Sequence, residues 1–163
     1  MFEQLNESVV NQWLNSLLWG FPGAEVFHLI CLGTFFGGMM LLDLRLLGFN
    51  RFISSISLMK HVLGCIWIAF AGVIISGSLL FMYMPYEYST NPVFKLKMCL
   101  IIAGGLNALW MHKKLLSTIG QWDMEAAPPM LVRLSALVSV GIWVTVLACG
   151  RLIAYFYGAG YFY

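Results

Sequence analysis

Residues 57–83 read SLMKHVLGCIWIAFAGVIISGSLLFMY. Lys60 and His61 stand near the start, and no other charged or histidine side chain follows in the stretch. A bilayer core needs about 20 consecutive apolar residues to be crossed by a helix, and this run is longer. It is also too long for a strand, and lipid cannot satisfy the open backbone groups of a strand edge. The stretch therefore predicts a membrane-spanning helix.

Three further runs have the same character. Spans are predicted at about 24–47, 57–83, 92–112 and 130–157, in a single integral membrane domain covering 1–163. Asn91-Pro92 is a helix-capping side chain followed by proline at the first helical position, and Pro128-Pro129 precedes the last span. The expected fold is all-α, an antiparallel four-helix transmembrane bundle. Residues 5–19 are too polar to span. Leu5, Val9, Trp13, Leu14 and Leu17 fall on one side at helical spacing, which predicts an amphipathic interfacial helix.

Composition agrees. Hydrophobic residues make up 61% of the 163-residue chain and charged residues 10%, against about 25% charged in soluble domains. A net charge of +2 without a basic run gives no footprint for nucleic acid. Cys31, Cys65, Cys99 and Cys149 each fall in a different apolar run and form no Cys-x-x-Cys pair, so they read as packing residues. Glu3 and Glu7 stand where a secretory signal would carry positive charge. The methionines are scattered and make no repeated ladder, and no hydrolase or phosphate-loop motif is present. Arg45, Arg51, Lys60, Lys113, Lys114 and Arg133 lie at the end that carries the loops after the first and third spans, against Lys95, Lys97 and Arg151 at the other. The positive-inside rule then places both termini outside the cytoplasm.

Ionisable residues inside spans are costly and mark function or pairing. Glu25 and Asp43 are 18 residues apart, as are Arg133 and Arg151, so each pair shares a helix face after five turns. Matched levels on antiparallel spans predict the pairs Glu25–Arg151 and Asp43–Arg133, with Lys60 and Arg45 as competitors for Asp43. The other reading is that each charge snorkels to its own interface.

His61 and His112 fall at similar depth on neighbouring spans. Gly64, Cys65, Ile68 and Gly72 share the side of His61, and Ile101, Gly105 and Ala108 that of His112. Small residues serve close helix packing. They also leave a slot for a flat macrocycle, so that His61 and His112 are candidate axial ligands of haem b. His28 is a third candidate ligand to haem iron, for a second haem whose propionates Lys97 and Arg151 would meet; otherwise it hydrogen-bonds within a Glu25–Arg151 cluster.

Several strings resemble an uncharacterised family of small four-helix bacterial inner-membrane proteins. They are Glu25-x-x-His28, Asp43-Leu44-Arg45-Leu46-Leu47-Gly48, Asn91-Pro92-x-Phe94-x-x-Lys97, Asn107 through His112, and Gly150-Arg151-x-Ile153-Ala154-Tyr155. The resemblance implies a bacterial inner-membrane location. It points to His28 and His112 as the functional histidines, one at each face, with a haem on each.

The expected function is a membrane-embedded b-type cytochrome that exchanges electrons with quinone or a periplasmic redox partner. The alternatives are a non-catalytic anchor or scaffold subunit of a larger complex, and a small metal or solute conduit using Glu25, His28 and Asp43. An oligomer or membership of a complex is expected in each case.

Overall fold

A computed structural model describes residues 11–12, 16–50, 52–118, 123 and 127–159. Five helices are described: α1 (Gly20–Leu47), α2 (Ser55–Tyr83), the short α3 (Pro85–Thr90), α4 (Pro92–Thr118) and α5 (Met130–Ala159). The four long helices are each long and apolar enough to cross a membrane. Most of the expected interfacial helix at 5–19 lies outside the described residues; residues 11, 12 and 16 are helical.

The ends of the helices follow local chemistry. Gly48 adopts φ 105°, and its N–H and that of Phe49 return to the carbonyls of Arg45 and Leu44. This left-handed cap favours glycine because it has no Cβ. Ser54 caps α2 by accepting from Ser57 N–H. Asn91 caps α4, its Oδ1 accepting from Val93 N–H at 2.8 Å, as the Asn-Pro pair predicts. Asn11 donates to the carbonyls of Met82, at 2.6 Å, and Tyr83, satisfying groups at the end of α2.

The helices are arranged in the order α2, α1, α5, α4. α1 packs most extensively on α2 and then on α5, α4 packs on α5, and α2 and α4 scarcely meet. Spans one and four therefore lie side by side, as the charge pattern predicted, although not through the predicted charges. The α1–α2 seam runs through small residues. A Cβ at Gly38 would stand 2.6 Å from Ile66, one at Gly72 would stand 2.5 Å from Cys31, and one at Gly77 would stand 3.3 Å from His28. These contacts turn Val62, Ile66, Ala69, Val73 and Ser76 toward α1. Gly64, Cys65 and Ile68 are consequently exposed. Mid-membrane, Phe35, Ile66, Ala69, Trp143 and Val146 form the main core cluster, with Phe35 edge-on to Trp143 at a centroid distance of 4.7 Å. At the end where the chain terminates, Phe81, Tyr88 and Phe94 stack and tie α2 and α3 to α4.

The seam makes a sharp contrast testable. Gly38→Leu forces α1 and α2 apart and should cost roughly 1–3 kcal/mol, the usual range for overpacking. A Cβ at Gly64 would meet nothing within 4 Å, and the position is exposed, so Gly64→Leu should leave the detergent melting temperature near that of the parent. Equal melting of the two variants would place the seam elsewhere.

Candidate ligand cavity and polar clusters

The gap between α2 and α4 holds a cavity of about 280 Å³, walled by all four long helices. Its mid-membrane part is apolar, with Phe35, Met39, Ile66, Phe70 and Trp143. Trp67 of α2 and Leu109 of α4 both line it and are 56% and 54% exposed, so its mouth faces the lipid between those helices. A Cβ at Gly105, also in the wall, would meet nothing within 4 Å. The space at that point is the cavity itself.

Toward the loop end the wall becomes polar. Asp43, 5% exposed, hydrogen-bonds with Ser139 of α5. Ser135 donates to Asn107 Oδ1 at 2.8 Å, and Asn107 Nδ2 donates back to the Ser135 carbonyl at 3.2 Å. This pair joins α4 to α5 and leaves the second amide hydrogen of Asn107 for another acceptor. The indole Nε1–H of Trp143 is buried with no acceptor among the described residues. An unmade hydrogen bond of this kind costs about 1–3 kcal/mol, which a ligand carrying an acceptor would recover.

The floor is held by Arg45, which is 3% exposed. Its Nε donates to the Ile53 carbonyl at 2.5 Å, and an Nη donates to the Asp123 carbonyl at 2.6 Å and lies 3.6 Å from the Asp123 carboxylate. That carboxylate in turn accepts from Ser54 Oγ at 2.5 Å and Ser55 N–H at 2.6 Å. One loop aspartate thus caps α2 and joins the two loops. Partial burial pushes the Asp123 carboxyl upward, but the bonds from Ser54 and Ser55 and the Arg45 guanidinium outweigh it and hold the group below its ordinary value. Asp123 was not legible from sequence. It is one of two acidic residues, with Glu125, in the loop before α5, and Arg45 reads from the sequence as a competitor for Asp43.

The structure places the sequence-derived candidates as follows. His112 is on the cavity wall near the loop end. His61 is at matching depth but exposed, its Nδ1 2.7 Å from the carbonyl of Ser57 on its own helix, and it is not part of the wall. The two imidazoles do not share one slot, because packing on α1 turns the other side of α2 inward. The expected pairs Glu25–Arg151 and Asp43–Arg133 do not form. Among the described residues no ion pair joins them; Glu25, Arg133 and Arg151 are exposed, and Ser139 takes the place of Arg133 beside Asp43. Exposed long side chains at span ends can reach the interface instead, which removes any need to pair.

A second polar cluster lies in the other half of the bundle. His28 Nδ1 is 2.9 Å from Ser76 Oγ, and Lys97 lies close enough to His28 and Cys149 to act on both electrostatically. Glu25, His28 and Asp43, the residues of the conduit reading, are not gathered. His28 and Asp43 are 15 residues apart on α1, about 22 Å. No group of three or more His, Cys, Asp and Glu that could hold a metal ion occurs among the described residues.

Four apolar helices, with a cavity that opens sideways between two of them, define a multi-pass α-helical membrane protein in contact with the lipid bilayer. The chain belongs to DUF6644, a family of unknown function whose pattern matches residues 18–156. No curated protein and no solved structure matches it.

The Arg45–Asp123 floor gives a pH prediction. A carboxyl whose folded value is depressed stabilises the fold fully above its unfolded value, 3.8, and that contribution is lost as pH falls through the lower folded value. Asp123→Asn should cost roughly 1–3 kcal/mol at neutral pH and flatten the acid limb of a melting-temperature profile. A variant profile parallel to the parent's would mean that Asp123 does not anchor the floor.

Proposed function

We propose that this protein is a quinone-binding membrane component of an electron-transfer chain, with the ligand's head group in the cavity between α2 and α4. The observation that carries this reading is the cavity wall itself. It opens to lipid, is flanked by aromatic rings, and has polar groups at one end together with an indole N–H that lacks an acceptor. Ligand sites of this kind are mostly apolar with a few placed polar groups. A quinone is flat, dissolves in lipid, and carries carbonyl acceptors on opposite edges of its ring. Trp143 and the spare amide hydrogen of Asn107 are donors for such carbonyls, and Asp43 and His112 are groups able to hold or release a proton at the loop end. When bound, the quinone supplies the redox chemistry; the chain binds it, orients it and excludes water. Electrons would come from a partner protein, which fits a subunit of a larger complex.

A b-type cytochrome is the second reading, favoured by the imidazole of His112 on the cavity wall. Haem there would take His112 as an axial ligand. His61 would have to leave the carbonyl of Ser57 and enter the wall to be the other.

One set of measurements separates the readings. Decylubiquinone should quench the tryptophan fluorescence of purified protein and raise its melting temperature. Gly105→Leu should fill the cavity and abolish both effects without unfolding the protein. Trp143→Phe should weaken binding by about 3- to 10-fold, the loss of one hydrogen bond. Undiminished binding to Gly105→Leu rules the cavity out. A Soret band and a positive pyridine haemochrome assay in wild-type protein made with ample haem, both lost in His112→Ala and kept in His28→Ala, would replace the quinone with haem.

The bacterial inner membrane is the proposed location, with both termini periplasmic, on the six-to-three bias of Lys and Arg between the two ends. A reporter joined to Tyr163 should be active in the periplasm; activity confined to the cytoplasm reverses the orientation.

A further inference from the structure

The cluster around Lys97 is not used by the cavity, and its geometry is unusual for a membrane lysine. Lysines near helix ends ordinarily extend toward the headgroups. Gly104 of α4 abuts Trp143 of α5, and seven residues further toward the terminal end on each helix stand Lys97 and Gly150. Lys97 Nζ is 3.7 Å from where a Cβ of Gly150 would lie. The amine has therefore stayed at the depth of its own backbone, turned into the bundle. Phe35 of α1 likewise meets Trp143, and seven residues from it toward the same end stands His28, so the imidazole is level with Gly150 and the amine.

An ammonium there needs a counter-charge. Among the described residues no carboxylate lies within ion-pair distance of Lys97. Glu25, one turn before His28, is exposed. Ser76 Oγ donates its single proton to the Gly72 carbonyl at 2.5 Å. Its oxygen then accepts from His28 Nδ1, 2.9 Å away, and the Val73 carbonyl bonds to the same imidazole. Gly77 lies against the imidazole and Gly150 against the amine, so neither α2 nor α5 places a side chain in the way.

We infer that His28 and Lys97, steadied by Ser76, form a second binding site, for a monovalent anion. The chemistry is that of a carboxylate or a halide. It can be supplied by a lipid-borne carboxylate, such as a fatty acid, or by a small free anion. The ammonium provides the charge and up to three N–H donors, and His28 adds an N–H donor when it is protonated. This site is independent of the cavity and of its ligand.

The test is the melting temperature of purified wild-type protein in a non-ionic detergent and chloride-free buffer. Laurate is compared with dodecanol, which has the same chain without the charge, and potassium chloride is added separately. Laurate at about a hundred times its Kd should raise melting by roughly 5–10 °C for a chain of this size, and dodecanol should not. An equal rise with chloride alone would also support the site and identify the source as a small anion. Lys97→Gln should remove the shift and Lys97→Arg should keep most of it. Should Lys97→Gln fail to fold, Gly77→Val provides the second check. Its side chain crowds the imidazole, and the shift should fall at least several-fold while Lys97 is untouched. No charge-dependent shift in the wild type, or the same shift in Lys97→Gln or in Gly77→Val, overturns the proposal.

Discussion

The structure depends on one constraint: in a bilayer every backbone N–H and C=O must find its partner within the chain. Four apolar runs longer than the hydrocarbon core therefore become four helices, whatever their side chains prefer. Helix ends lie where water returns, so the caps at Ser54, Asn91 and Gly48 obey the same chemistry as in soluble proteins.

The same constraint removes the usual source of tertiary information. In water an amphipathic stripe tells a helix which face to bury. Here lipid is as apolar as a core, and side chains such as Ile68, Leu106 and Leu137 lie exposed without penalty. What orders the helices is close packing at small residues and a few polar contacts between spans. Gly38 against Ile66 and Gly72 against Cys31 set α1 on α2. Asp43 with Ser139 sets α1 on α5, and Asn107 with Ser135 sets α4 on α5. Between α2 and α4 the stacking of Phe81 on Phe94 holds one end, and beyond it the two helices part around the cavity.

That gap explains how much of the candidate site could be read in advance. Of the face of α4 expected to line a slot, His112, Gly105 and Ala108 line the cavity, while Ile101 packs against the core cluster instead. The matching expectation for α2 failed at His61, because Gly72 serves contact with Cys31 while Gly64 faces nothing. Sequence shows that a glycine permits approach; it does not show which of two glycine-bearing sides has a partner. The charge pairs failed for a related reason. Equal spacing places Glu25 and Arg151 at one level, but long side chains near a span end have water and headgroups as alternatives. The buried Arg45 has none, and it bonds to the loop carbonyls of Ile53 and Asp123.

The sequence by itself determined the class of protein, the number of spans, their approximate limits and the depth of each ionisable group. All of these follow from hydrophobicity and length along one helix, which are local quantities. Only the tertiary structure decided the rotation of each helix about its axis, and with it which polar groups meet. His28 with Ser76, Trp143 at the cavity and Asp123 beneath it are set by rotation and loop path. Neither has a local signature, because lipid accepts every face of an apolar helix equally.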